Sequence, residues 1–155
     1  MLIVADTREK KPFTFGGKVT VERRKLQTGD YSIAGLENEV AIERKSLDDF
    51  IGSLVNSNRE TFQRELDRLV HMPTKAIVCE GSWECIKMGQ YRSRMAPAAA
   101  FGSAMGIIAQ GVPIVMAGTR KEAERACYAL LRIAYNRYQY RLRNLEKGRI
   151  IRSAG

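Results

Sequence analysis

The sequence predicts an α/β domain in which helices cover a central sheet and one long helix closes the chain. Three observations carry that expectation. Short apolar runs at residues 2–5, 75–80 and 112–117 have strand length and are interleaved with longer segments of helical spacing. Residues 31–42 alternate apolar and polar around Gly35 and Asn38, as a β-hairpin does. From Ala123 to Leu145 the apolar positions keep helical spacing for several turns.

The 155 residues suit one domain, 1–155, with a single sizeable core. A chain that is 45% hydrophobic and 28% charged is globular in character, which excludes disorder as the default. The opening MLIVADTREK turns charged after five apolar residues, too soon for a signal peptide. No apolar run reaches membrane-spanning length, so a soluble intracellular protein is expected, cytoplasmic or nucleoid-associated, with no membrane partner. Cys79, Cys85 and Cys127 form no CxxC pair and sit in apolar surroundings, which points to reduced thiols. The net charge of +9 and a pI near 9.7 favour a polyanionic partner.

In chain order, residues 2–5 read as a buried strand ending at Asp6. That position suits a functional carboxylate or a turn residue of DTREKK. Residues 12–17 read as loop and 19–26 as a second strand with Val19 and Val21 on one face. After the 31–42 hairpin, Ser46 opens a helix, and Ser46-x-x-Asp49 has the form of a capping box ahead of Leu47, Phe50, Ile51 and Leu54. The pattern breaks at 56–58. Ser57-x-x-Glu60 is expected to cap a second helix with Phe62, Leu66, Leu69 and Val70 inward. Arg59, Arg64 and Arg68 line its other side, as a solvated face or a phosphate-contacting one. His71 reads as a helix C-terminal residue and Trp83 as a packing anchor, with a stacking platform as the alternative. Tyr91-Arg92-Ser93-Arg94 precedes an Ala-rich helix at 97–110, and arginines near a helix N-terminus suit a phosphate. Thr119-x-x-Glu122 caps the last helix, whose stripe includes Cys127, Leu130, Leu131, Ala134, Tyr138 and Leu142. Residues 120–152 hold ten Lys or Arg against three Glu, a net +7. An amphipathic helix longer than the sheet needs a partner surface, either a second copy of the chain or nucleic acid.

The candidate chemistry lies between Gly29 and Asp49. A tight turn at Leu36-Glu37 sets Asp30 opposite Glu43, with Cβ atoms roughly 4.5–5.5 Å apart. Tyr31, Ile33, Val40 and Ile42 then share the core face, and Asp30, Ser32, Ala41, Glu43 and Lys45 share the other. Two ionised carboxylates that close repel, so a divalent metal is the natural occupant. Asp30, Glu43 and a nearby main-chain carbonyl could hold Mg²⁺ or Mn²⁺. Such a metal polarises a phosphate and acidifies water. Lys45, on the same face, can place that water or stabilise developing charge.

The fuller string is more specific. Gly29-Asp30, Glu43-Arg44-Lys45 and Asp49 match the signature GD-x(n)-ERK-xxx-D, and Asp6-Thr7-Arg8-Glu9 precedes it. The sequence resembles the ERCC4-type nuclease domain of the XPF/MUS81 structure-specific endonucleases over nearly its whole length. The resemblance implies a restriction-endonuclease-like central mixed sheet flanked by helices, and divalent-metal cleavage of DNA near branches, flaps or single-strand/duplex junctions. It implies Asp30 and Glu43 as metal ligands joined by Asp6, Lys45 as the catalytic lysine, and Arg8, Glu9, Arg44 and Asp49 as supporting residues. Arg8, Arg59, Arg64, Arg92 and Arg94 are the expected DNA contacts. Many relatives carry a tandem helix-hairpin-helix domain after the nuclease. Here a standalone form is expected, with DNA held by the basic C-terminal helix and a homodimer built on its Leu/Tyr stripe. The alternative is a non-catalytic DNA-binding or dimerisation subunit, which the intact Asp30, Glu43 and Lys45 disfavour.

Overall fold

A computed structural model describes residues 1–153, with the side chains of 56, 57 and 148–153 outside the description. Six strands form one mixed sheet: β1 (Ile3–Asp6), β2 (Val21–Arg24), β3 (Tyr31–Ile33), β4 (Val40–Ser46), β5 (Thr74–Glu80) and β6 (Ile114–Met116), in the order β2-β1-β3-β4-β5-β6. β1 runs parallel to β2 and antiparallel to β3, β3 is antiparallel to β4, and β4, β5 and β6 are parallel. Apolar strands of this length are stable when both faces are covered. Helices α1 (Leu47–Ser53), α2 (Asn56–Val70), α3 (Trp83–Lys87) and α4 (Pro97–Ala109) cover one face around Phe50, Phe62, Leu66, Ile77 and Cys79. Helix α5 (Arg120–Ser153) covers the other, where Cys127 and Leu131 meet Tyr31, Ile42 and Val78.

The hairpin register is the expected one, with Tyr31 paired to Ile42. Its connection is wider than a two-residue turn. Leu36 N–H bonds to Ile33 O and Val40 N–H to Leu36 O, so consecutive turns span residues 34–39. The face opposite Tyr31 and Ile42 is also more buried than a solvent face: Ser32 and Ala41 are fully buried, and Ser32 Oγ donates to Val40 O at 2.6 Å. A carboxylate on this face is therefore charge at the edge of a core.

Gly29 makes the close approach possible. Its φ is +73°, and a Cβ there would lie 3.1 Å from Ile42 O and 3.2 Å from Ala41 Cβ. The neighbouring Asp30 N–H bonds to Ile42 O at 2.9 Å, fastening the carboxylate-bearing residue to β4. Ser46 caps α1 as expected, accepting from Asp49 N–H at 3.1 Å. α2 starts one residue earlier than its expected cap: Val55 is the N-cap, without a side-chain bond, and Ser57 falls in the first turn. α3 was not expected from periodicity, being only five residues long, and Ser82 caps it through Cys85 N–H. His71 ends α2 with its ring nitrogen 2.6 Å from Asp67 O, a helix-terminal role.

Leu131 and Ala134 are buried against the sheet, so they cannot belong to an outward stripe. Farther along α5, Tyr138, Tyr140, Leu142 and Leu145 are exposed. The basic tail residues Arg149 and Arg152 lie outside the described side chains. Among the described residues, no helix is long and apolar enough to cross a membrane.

Candidate active site

Strand alternation sorts the motif onto two faces at the carboxyl end of β4. Glu43 and Lys45 point toward α2, where the Lys45 ammonium lies 5.0 Å from the Phe62 ring centre. Asp30 reaches the same side from the start of β3, and Asp6 from the end of β1. A cleft of ≈ 180 Å³ opens there, lined by Arg8, Asp30, Glu43, Glu65 and Arg68 among others. Arg8, Asp30 and Glu43 thus line one cleft, with Lys45 paired to Glu43 and the buried Asp6 paired to Arg8.

The Asp30 carboxylate accepts from Arg44 N–H at 2.8 Å. Burial, with the nearby charge of Glu43 added, pushes its pKa up to about 8. Burial also raises Glu43, with Lys45 opposing and Glu65 reinforcing the shift. Lys45 Nζ is 3.0 Å from Glu43 Oε1 and 3.4 Å from Glu65 Oε2. Burial pulls the Lys45 pKa down, but the two carboxylates outweigh it and hold the ammonium charged. Two carboxylates that resist ionising together are a fit site for a cation. Among the described residues, no three His, Cys, Asp or Glu converge into a ready-made cage. A pair of carboxylates matches Mg²⁺, which keeps several waters and takes one or two protein carboxylates.

Asp6 has a different task. Its Oδ1 accepts from Arg8 N–H at 2.8 Å and Arg8 Nε at 2.7 Å; its Oδ2 accepts from Leu26 N–H at 2.5 Å and Arg8 Nη2 at 3.1 Å. Burial raises the Asp6 pKa, yet these donors outweigh it and the net shift is downward. With both oxygens engaged, Asp6 fixes Arg8. Arg8 remains 64% exposed at the cleft, within the field of Asp30 and Glu43.

Arg44 enters the cleft only through its main-chain N–H. Its guanidinium lies on the α5 side, bonded to Glu80 Oε1 (Nε 2.8 Å, Nη2 2.7 Å) and 3.5 Å from Glu9 Oε2. Arg120 Nη1 joins Glu80 at 3.1 Å, Arg120 also lies over the Phe13 ring at 4.9 Å, and Arg120 Nη2 bonds to Lys11 O. This network ties the loop after Asp6 to β5 and α5. Asp49 is exposed, and its carboxylate accepts from Ser46 Oγ at 2.6 Å. The structure gives it the helix-start role.

Of the expected DNA contacts, only Arg8 lines the cleft. Arg59 and Arg64 are exposed on α2, with Arg59 beside a groove between α2 and α4. Arg92 is held by Asp48 at 2.7 Å, and Arg94 is exposed ahead of α4. Glu65, Glu80 and Arg120 were not singled out as site residues from sequence, and Arg68 entered only as part of a solvated or phosphate-contacting face. Glu80 ends an apolar strand, a visible signal, but its face depends on the register with β4. Glu65 and Arg68 stand on the polar flank of α2, and nothing local says which strand end they overhang.

Fold and site together define a mixed-sheet α/β domain with an acidic cleft and one lysine at the end of a central strand. The ERCC4 domain model matches residues 5–130, and the chain belongs to that family. Among solved structures it is similar to XPF from Aeropyrum pernix, with a TM-score of 0.67 and 22% identity over 86% of this chain and 61% of that one. It is also similar to the structure described as XPF from Aeropyrum pernix, complex with DNA, with a TM-score of 0.67 and 21% identity over 87% of this chain and 65% of that one. At that identity the likeness is one of fold, and the chain spans less than two thirds of those structures. No curated protein matches it.

Proposed function

We propose that this chain is a divalent-metal-dependent DNA endonuclease acting at branched, flap or single-strand/duplex junction DNA. The observation that carries the reading is the meeting of Asp30 and Glu43 in one cleft with Arg8, and Lys45 3.0 Å from Glu43. Asp30 and Glu43 would hold Mg²⁺ or Mn²⁺, which when bound supplies Lewis-acid polarisation of the phosphate and a more acidic water. Lys45 faces the entering phosphate with a charge held by its own carboxylate partners, where it can stabilise charge developing on the phosphate oxygens. Arg8, fixed by Asp6, offers a guanidinium to a neighbouring phosphate. Arg44 holds Asp30 by its N–H and the surrounding frame by its side chain. The net charge of +9 and the structural neighbour in complex with DNA support a nucleic-acid substrate.

The same reading includes a homodimer through α5. Tyr138, Leu142 and Leu145 are exposed beyond the part of α5 that packs on the sheet, and a second copy of that helix would cover them. A monomeric mass in solution at micromolar concentration would count against the dimer.

Labelled flap, splayed-arm, four-way and plain duplex substrates, incubated with Mg²⁺ or Mn²⁺, test the enzyme directly. Wild type is expected to cut the branched substrates and Glu43→Ala to leave them intact. Equal cutting by both proteins would sink the site. Tight DNA binding by wild type without cutting would favour a non-catalytic subunit.

A further inference from the structure

Lys45 stands between two carboxylates, and only Glu43 belongs to the sequence motif. The other, Glu65, comes from α2 and is 33% exposed at the cleft. The Lys45 side chain is only 13% exposed, so its ammonium needs a partner whatever happens around it. A divalent cation beside Asp30 and Glu43 becomes the largest local charge and competes with Lys45 for the Glu43 carboxylate. It also repels the ammonium. Glu65 is the other carboxylate beside Lys45, and it comes from a different element from the two ligands.

We propose that Glu65 is the positioning residue for Lys45, receiving its ammonium when Glu43 turns to the metal. Lys45 then stays charged and inside the cleft, where the phosphate enters. Without Glu65, Lys45 remains on Glu43 and hinders the metal. The inference rests on the reading of Asp30 and Glu43 as metal ligands. It makes α2, outside the signature, part of the working site.

Titration calorimetry with Mn²⁺ on the full chain, without DNA, tests it in four proteins: wild type, Glu65→Gln, Lys45→Met and the double variant. Glu65→Gln is expected to bind Mn²⁺ roughly tenfold more weakly than wild type, the scale of an outer-shell contact to a metal site. Lys45→Met should bind at least as tightly as wild type, because nothing then competes for Glu43. The double variant should match Lys45→Met to within about twofold, since Glu65 acts through Lys45 alone. An equal tenfold loss in both backgrounds overturns the proposal, because Glu65 would then act on the metal directly. An unchanged affinity in Glu65→Gln also overturns it. A wild-type chain that binds no Mn²⁺ overturns the metal reading itself, and the inference with it. Thermal melts of all four separate these outcomes from a loss of fold, which would lower Tm without any dependence on residue 45.

Discussion

The two faces of β4 at its carboxyl end handle charge in opposite ways. On the α5 side, Arg44, Glu80, Glu9 and Arg120 alternate in sign and satisfy one another. On the α2 side, Asp30 and Glu43 are like charges at the edge of a core, and both resist ionisation. Burial is comparable: Arg44 and Glu80 are 15% and 14% exposed, Lys45 and Glu43 13% and 12%. The difference is therefore one of pairing. A charge-balanced network holds a frame, whereas buried carboxylates that resist ionisation lower stability. Strand alternation lets Glu43, Arg44 and Lys45, consecutive in sequence, serve both.

Substitutions on each face should separate the two roles. The largest effect is expected for Lys45→Met, which should lower metal-dependent cleavage by about 10²–10³-fold, and which also lowers Tm of the metal-free protein because Glu43 loses its cation. A cleavage rate within a few-fold of wild type would remove Lys45 from the chemistry. Arg44→Met should act through stability, with cleavage kept by the molecules that remain folded. It leaves Glu80 and Glu9 short of a cation and should cost about 3 kcal/mol in urea unfolding, the scale of a broken buried pair. If that variant melts like wild type but does not cut, the guanidinium acts in the cleft after all.

A smaller effect, opposite in sign, is expected for Asp30→Asn. The Asp30 pKa is raised from its ordinary 3.8 to about 8. Between those values the folded state keeps a proton that the unfolded chain gives up, so stability falls as pH rises through the window. Asparagine keeps an acceptor for Arg44 N–H and carries no charge. The metal-free variant should therefore be more stable than wild type at pH 8 by on the order of 1 kcal/mol, or about 2–4 °C in Tm, with the gain shrinking toward pH 4. A gain that does not depend on pH would show that burial of the charge is not its cause. The smallest effect is expected for Asp48→Ala. Its partner Arg92 is 85% exposed and the pair is screened by solvent, so the variant should unfold at the same urea midpoint as wild type.

Local pattern made much of this molecule legible. The apolar alternation of residues 31–42 specified a register that the structure shares, because a one-residue slip would turn Ile42 out and Glu43 in. Ser46 announced the start of α1, because its hydroxyl satisfies a helix N–H three residues on. The short α3 escaped periodicity because five residues hold barely one turn. The turn at 34–39 was wider than expected because register constrains only the midpoint of a hairpin, and several loop shapes share one midpoint.

The sequence by itself determined the α/β class, the family signature and the meeting of Asp30 with Glu43. All three follow from short-range spacing and strand alternation. Only the tertiary structure decided that Asp6 spends both oxygens on Arg8 and Leu26, that the Arg44 side chain lies behind the sheet, and that Glu65 reaches Lys45 across twenty residues. The physical reason is that such contacts depend on which strand end a distant helix overhangs. That is settled by packing on both faces of the sheet, and no local period records it.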